Sequence, residues 1–296
     1  MSIQKKLTGT GVAIITPFKT DGSVDFKSLT KIVNHLIKGK VEYLVVLGTT
    51  GESVTLDKKE KVAVIAHVLE VNAGRVPLVV GIGGNDTREV AGSMEKMNLK
   101  GYDAILSASP AYNKPSQQGI IAHYKVLAKA SPLPLLLYNV PGRTSSNLVA
   151  DTTLQLAEVK NIIGIKEASG NLEQVMKLLK YRPNNFMVIS GDDNLSLPIL
   201  GCGGDGVISV VANAFPLNFS EMTRQALKYN MKEAQRLHYK LIDITDQLFA
   251  DGNPGGVKVV MQLLKLCTDT VRLPLVPVND TVRKKLETLF KAYKPG

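Results

Sequence analysis

Eight short apolar runs punctuate the chain: VAIITPF (12–18), YLVVLG (43–48), PLVVGIG (77–83), DAILSASP (103–110), PLLLYNVP (134–141), IIGIKEAS (162–169), FMVISGDD (186–193) and DGVISVVA (205–212). Each is rich in Val, Ile and Leu and lacks strict polar alternation, as expected of strands buried on both faces. Between them the apolar spacing becomes helical. In VDFKSLTKIVNHLIK, Leu29, Ile32, Val33, Leu36 and Ile37 form one helical stripe. DKKEKVAVIAHVLE opens with Asp57 and Glu60 at capping-box spacing and predicts a face of Val62, Ile65 and Leu69. DTREVAGSMEKM repeats the device with Asp86 and Glu89, then sets Val90, Met94 and Met97 in a core-packing stripe.

Strand then helix, eight times, predicts an α/β protein of the (β/α)8 TIM barrel class. An open doubly wound sheet competes, but no GxGxxG follows the first run, and GIGGN (81–85) follows the third without that spacing. Beyond residue 216 the strand pattern stops. Leu237, Leu241, Ile244 and Leu248, and later Val282, Leu286 and Leu289, keep helical spacing, with joints at GNPGG and RLPLVPVND. The expected organisation is a catalytic barrel over 1–229 and a C-terminal helical appendage over 230–296.

The 296 residues carry a formal net charge of +10, which suits nucleic acid or a small anionic substrate. The densest basic runs, KLLKYR and VRKKLETLFK, are not interleaved with stacking aromatics, and Trp is absent. They read as solvated helix faces, and no nucleic-acid partner is expected. Two cysteines, Cys202 and Cys267, are too few for a disulfide framework. His35, His67, His123 and His238 are scattered, without metal-ligand spacing. No cofactor and no metal are expected. No apolar run approaches the roughly 20 residues of a membrane span. MSIQKKLTGTG lacks the apolar segment of a signal peptide. A cytoplasmic protein without a membrane partner is the expectation.

Barrel enzymes carry their chemistry at the C-terminal ends of the strands. Here those ends are Thr16-Pro17-Phe18, GTTGES (48–53), SPAYNKP (109–115), YNVPGRT (138–144), KEAS (166–169) and SGDD (190–193). Period-two alternation puts Gly164 and Lys166 on one face and Ile163 and Ile165 on the other. If the isoleucines pack against helices, Lys166 points into the barrel mouth, and Gly164 beneath it leaves room for a substrate or a neighbouring side chain. Low dielectric there disfavours the ammonium, and a neutral amine attacks a ketone or aldehyde to give a Schiff base. A lysine paired with a carboxylate at the rim fits this strand equally well. The neighbouring ends tilt the choice towards the imine. Tyr138 supplies a phenol for proton transfer, or a core tyrosine. Thr49 and Thr50, between Gly48 and Gly51, offer hydroxyls and turn N–H groups to a carboxylate, or form a plain turn. Arg143, after a Pro-Gly pair, could clamp a second carboxylate, or lie free on the surface.

GTTGES, YNVPGRT and GIKEASG, in this order and spacing, closely resemble the dihydrodipicolinate synthase family. That family belongs to the Schiff-base pyruvate aldolases of the N-acetylneuraminate lyase superfamily. The similarity runs from GTGVAIITPF to DTVRLPLVPV. The resemblance implies a lyase that condenses pyruvate with L-aspartate 4-semialdehyde to 4-hydroxy-tetrahydrodipicolinate, a step of diaminopimelate and lysine biosynthesis. It implies Lys166 as the imine-forming residue, and Tyr138 as a proton shuttle linked through Thr49 to Tyr112, the last reaching a partner subunit's site. Thr49 and Thr50 would hold the pyruvate carboxylate, Arg143 that of the second substrate, and Gly191 and Ile208 would line the pyruvate pocket. A homotetramer, a dimer of dimers, is implied as well. PGRT argues for a short carboxylated aldehyde. A sialate lyase or a hydroxy-oxoglutarate aldolase is therefore the second choice, and a non-enzymatic, basic anion-binding barrel the third.

Two features depart from the family pattern. Its lysine-feedback cleft maps onto Ser53, Val54, Lys58, Lys61, Asn85, Glu89 and Ala111. Sensitive members carry histidine at the place of Lys58 and an aromatic at that of Ala111. Lys58 and Lys61 would repel a lysine effector, so weak or absent lysine inhibition is expected. NPGG (253–256) replaces the commoner NPIP, a difference to which the sequence assigns no function.

Overall fold

The structure, a computed structural model, describes residues 2–293. Strands β1 (Gly9–Ala13), β2 (Tyr43–Val46), β3 (Leu78–Gly81), β4 (Ala104–Ala108), β5 (Leu135–Asn139), β6 (Ile162–Glu167), β7 (Met187–Ser190) and β8 (Gly206–Ser209) run parallel and close into a barrel in chain order. A short helix, α1 (Ile3–Leu7), precedes them. Between and after the strands come α2 (Phe26–Lys38), α3 (Lys58–Asn72), α4 (Thr87–Lys96), α5 (Gln117–Ala130), α6 (Pro141–Thr144), α7 (Ala150–Ala157), α8 (Leu172–Tyr181), α9 (Ser196–Gly201) and α10 (Pro216–Leu227). The chain continues through α11 (Met231–Tyr239), α12 (Ile242–Phe249), α13 (Gly255–Leu263) and α14 (Asp280–Ala292). The expected (β/α)8 barrel with C-terminal helices is the observed fold. Among the described residues no helix is long and apolar enough to cross a membrane.

Alternation along the strands divides the apolar residues into two cores. Leu44, Val46, Leu78, Val80, Leu137 and Val188 pack outward with helix residues such as Leu36, Val68 and Leu178. Val45, Val79, Leu106, Leu136, Met187 and Ile189 fill the barrel interior. Both faces are buried, which is why the strands read as continuous apolar runs. Leu7 of α1 joins the inner core and plugs the N-terminal end, so the barrel opens at its C-terminal end. Beyond α10, the rings of Phe290 and Tyr293 lie against Phe215 at the start of that helix, tying the last helix to the barrel.

Three local expectations are corrected. The first strand was placed at 12–18, but β1 begins at Gly9, and its glycines are part of the ladder. Gly11 pairs with Tyr43, whose ring would lie 2.2 Å from a Cβ at position 11. Past Ala13 the strand is held by a side chain instead: the Ile15 N–H donates to Asn213 Oδ1, and Asn213 Nδ2 donates to the Ala13 carbonyl. Secondly, the register of β6 on β5 shifts between Leu135 and Leu136. This bulge turns Ile163 inward, while Ile162 and Ile165 face the helices. Ile163 and Ile165 therefore do not share a face.

Thirdly, α3 forms both halves of the Asp57–Glu60 capping box, but its buried face is Val64, Ile65 and Val68; Val62 is 56 % exposed. Apolar residues lie all round this helix, so the sequence pattern selects no face. At α4 only half of the second box forms. The Asp86 side chain accepts from the Arg88 and Glu89 N–H groups, while the Glu89 carboxylate turns towards Lys58, 3.9 Å away.

Candidate active site

Lys166 lies near the C-terminal end of β6, in register with Tyr138 on β5 and Ile189 on β7. Only 5 % of the residue is exposed. Its Nζ sits 4.3 Å from the centroid of the Tyr138 ring, itself buried. No carboxylate pairs with this ammonium among the described residues, so the ion-pair alternative lacks its counter-charge. A buried lysine with no carboxylate partner is placed as a nucleophile towards a carbonyl rather than as one half of an ion pair.

The glycine that makes room for this lysine is Gly191, after β7. A Cβ there would lie 2.9 Å from Lys166 Cε and 3.0 Å from its Cγ. The space expected above Gly164 is already filled: a Cβ at that position would meet Met187 Cβ and O at 2.7 Å and Leu136 at 3.1 Å. Gly164 therefore lets β6 pack closely in the layer below and offers no substrate space. Ile208 is buried in the same inner core as Tyr138 and Ile189.

The tips of β5, β6 and β7 are fixed by the residue following the lysine. Buried Glu167 accepts hydrogen bonds from Asn139 Nδ2 at 3.0 Å, the Ser169 N–H at 2.7 Å and Gln174 Nε2 at 2.9 Å. Asn139 Oδ1 in turn accepts from the Leu148 N–H. The Gly191 N–H donates to the Glu167 carbonyl and the Ala168 N–H to that of Asn139. With its carboxylate saturated by donors on the far side of the strand, Glu167 orients its neighbour without pairing with it.

GTTGES turns the chain after β2 in a 3₁₀ turn, Thr49–Gly51, ending at Glu52 with φ +50°. The Gly51 and Glu52 N–H groups are used within the turn, and Thr16 Oγ1 donates to the Gly51 carbonyl. Thr49 is half-buried; Thr50 is buried, and its Oγ1 accepts from Asn253 Nδ2 at 3.0 Å. Glu52 is buried against Lys258 of α13, with Nζ to Oε1 at 2.5 Å, and also accepts from the Arg272 N–H. Lys258 donates to the Thr270 carbonyl as well, and its Nζ and the Arg272 guanidinium both lie over the Phe18 ring. Burial pushes the Lys258 ammonium below its usual pKa, and Glu52 opposes that shift. Arg272 reaches on to both oxygens of Glu60.

This buried network escaped the sequence reading. Its signals are faint: a single lysine inside the apolar GGVKVVMQLL, and the glutamate within GTTGES.

The remaining candidates stand at the rim. Arg143 is exposed in α6, directly after β5, with no carboxylate partner among the described residues. Tyr112 is 90 % exposed with φ +69°, its N–H donating to the Thr144 carbonyl. Among the described residues no hydrogen bond links Tyr138 to Thr49 or to Tyr112. The chain by itself thus gathers Lys166, Tyr138, Gly191 and Ile208, sets the Thr49–Thr50 turn at the end of β2, and leaves Tyr112 projecting outward. Near Gly191, the buried Asp193 carboxylate accepts from the Val210 and Val211 N–H groups, and burial pushes its pKa up to about 6.

The chain and its fold have close parallels. A sequence model of the dihydrodipicolinate synthetase family matches residues 6–293. The 4-hydroxy-tetrahydrodipicolinate synthase of Flavobacterium psychrophilum is 52 % identical over 284 residues, covering 96 % of this chain and 97 % of that protein. The enzyme of the same name from Phocaeicola vulgatus is 47 % identical over 293 residues, with 99 % of each chain covered. Among solved structures, dihydrodipicolinate synthase from Acinetobacter baumannii, complexed with pyruvate, superposes with a TM-score of 0.94 at 39 % identity, covering 96 % of this chain and 98 % of that one.

Proposed function

This chain belongs to the dihydrodipicolinate synthetase family, and from that membership we propose that it is a 4-hydroxy-tetrahydrodipicolinate synthase working through an imine on Lys166. The observation that carries the reading is a buried lysine at the barrel mouth, without a counter-charge and stacked over a tyrosine ring.

Lys166 attacks C2 of pyruvate and, with loss of water, gives the iminium. Loss of a C3 proton makes the enamine, whose C3 attacks the aldehyde carbon of L-aspartate 4-semialdehyde. The new alkoxide takes up a proton. The substrate's own amine then adds to C2 and expels Lys166, closing the ring. Tyr138 is the group nearest the lysine that can take and return these protons. Thr49 and Thr50 hold the pyruvate carboxylate, and Gly191 and Ile208 bound its pocket. Arg143, exposed and unpaired, receives the second carboxylate in a two-point hydrogen bond. Tyr112 projects from its own barrel, as a residue that completes the site of a second subunit through Thr49 would. The working form is then at least a dimer, and a tetramer of two such dimers fits the family. We place the enzyme in the cytoplasm, in the diaminopimelate branch of lysine biosynthesis.

Incubation with pyruvate followed by borohydride reduction tests the core of this reading. A pyruvate-derived mass adduct on the peptide carrying Lys166 is expected; its absence from active enzyme sinks the imine mechanism. The lysine-feedback reading is tested separately. Lys58 is exposed, and Asn85 Oδ1 is engaged by the Ala111 N–H, a basic and partly occupied setting for a cationic effector. Weak or absent inhibition by lysine is the expected result, and strong inhibition at sub-millimolar lysine would overturn it.

A further inference from the structure

Thr50 is held by a residue from the far end of the chain. Asn253 is buried, its Nδ2 donates to Thr50 Oγ1 at 3.0 Å, and its Oδ1 has no hydrogen-bond partner among the described residues. A threonine hydroxyl has one proton to give and two lone pairs to accept with. With the amide donating, the Thr50 proton is left to point elsewhere. Were a carbonyl or carboxylate in place of that amide, it would take the Thr50 proton, and Thr50 would face the pocket as an acceptor that repels an anion.

What brings Asn253 there is NPGG. A Cβ at Gly256 would lie 2.4 Å from the Leu248 carbonyl oxygen, and one at Gly255 would lie 2.9 Å from Val278. Gly256 lets the first turn of α13 seat against the end of α12, and Gly255 lets it approach Val278 ahead of α14. Lys258, one turn later, reaches Glu52 at the other end of the GTTGES turn. The same stretch of backbone thus grips both ends of the proposed carboxylate-binding turn, by an amide at Thr50 and by an ammonium at Glu52.

We propose that Asn253 is a positioning residue: it fixes the Thr50 hydroxyl as a donor, and so tunes the site for the carboxylate of a 2-oxo acid. The inference rests on the reading of Thr50 as a holder of the pyruvate carboxylate. It acts through Thr50, so its signature is in pyruvate KM, and it vanishes when Thr50 has no hydroxyl.

The test is a double-mutant cycle of Thr50→Val and Asn253→Asp, with KM measured for both substrates and folding checked by thermal melting. Each single change is expected to raise pyruvate KM about 10- to 100-fold, the range for a hydrogen bond to a charged group, with KM for the aldehyde within about twofold. In the Thr50→Val background, Asn253→Asp adds less than about twofold. An Asn253→Asp effect that persists undiminished in that background is charge repulsion and overturns the proposal; so does no effect beside an effective Thr50→Val. If Thr50→Val itself leaves pyruvate KM unchanged, the carboxylate reading of Thr50 is what fails. Should Asn253→Asp not fold, Asn253→Leu removes the donor without charge. A rise of about three- to tenfold, again absent with Thr50→Val, is then expected, and no rise overturns the proposal.

Discussion

Lys166 and Lys258 are both buried lysines of the same barrel, 5 % and 0 % exposed, yet their surroundings are opposite. Lys258 has a carboxylate at 2.5 Å, a backbone carbonyl at 2.8 Å and an aromatic face. Among the described residues Lys166 has an aromatic face but no carboxylate and no hydrogen-bond partner. A buried charge is tolerated when it is paired and hydrogen-bonded, and otherwise it is driven towards neutrality. Lys258 is held as a rivet, and Lys166, without such a partner among the described residues, is the lysine we propose as the reagent. Burial alone does not distinguish them; the presence or absence of a counter-charge does. The arginines repeat the contrast in milder form. Arg272 is locked to Glu60 and stacked on Phe18, whereas Arg143 stands free beside β5.

Exchange of each lysine for methionine should separate the two roles most sharply. Lys166→Met is expected to lower kcat by about 10⁴-fold or more, the scale for losing a covalent nucleophile, and to abolish borohydride trapping. Its melting temperature should equal or exceed the parent's, since an unpaired amine leaves an apolar site. A large loss of stability would mean that Lys166 has a structural partner after all. Lys258→Met should do the reverse. It strands buried Glu52, which costs about 3–5 kcal/mol of stability, visible as a lower urea midpoint. The folded fraction should still form the pyruvate imine. Adding Glu52→Gln should restore a good part of the stability, because the glutamine still accepts from the Arg272 N–H. A Lys258→Met protein as stable as the parent would dissolve the contrast.

Only one of these two lysines stands out in the sequence. Lys166 was visible because it ends an apolar run beside Gly-rich and Tyr-containing strand ends, and the eight-fold recurrence of such runs made the barrel legible. Lys258 was invisible because its meaning depends on Glu52, more than two hundred residues away, and no local pattern links them. The same physics explains the smaller misses. Gly164 shares the inner face with Lys166 as expected, but the space over it is filled by Met187 and Leu136 from the neighbouring strands, a packing that no local pattern shows. The first apolar run begins at Val12 because Gly9 and Gly11 bring no apolar side chain; the Tyr43 ring packs over Gly11 in their stead. NPGG had no local meaning, since its residues meet Thr50, Leu248 and Val278, contacts that no local pattern shows.

The free arginine offers a finer cut. Arg143→Ala is expected to raise KM for the aldehyde substrate about 100-fold, as for a lost two-point hydrogen bond to a carboxylate. Pyruvate trapping on Lys166 should be intact and the melting temperature unchanged, because Arg143 is exposed and holds nothing in place. Equal effects on both substrates would instead assign Arg143 to the architecture of the mouth.

Asp193 extends the comparison to carboxylates and gives the smallest effect. Glu52 is buried with an ammonium against it; Asp193 is buried with only backbone N–H groups and the Ser209 hydroxyl, and Asp192 close by. Burial raises its pKa to about 6, above the ordinary carboxyl value of about 4. Between those two values the folded protein holds a proton that the unfolded chain has released. Its contribution to stability is therefore complete below about pH 4, declines as pH rises through 6, and is gone above it. The size is about 2–3 kcal/mol for a two-unit shift. Burial lowers the pKa of His35, His123 and His238, so these groups run the opposite way, and the raw pH profile mixes both trends. The informative quantity is the difference between the parent and Asp193→Asn, which keeps an acceptor for the Val210 and Val211 N–H groups but cannot titrate. Measured by urea unfolding from pH 4 to 7, the variant should lack the parent's decline through pH 6. Parallel profiles would mean that Asp193 is already compensated in the fold.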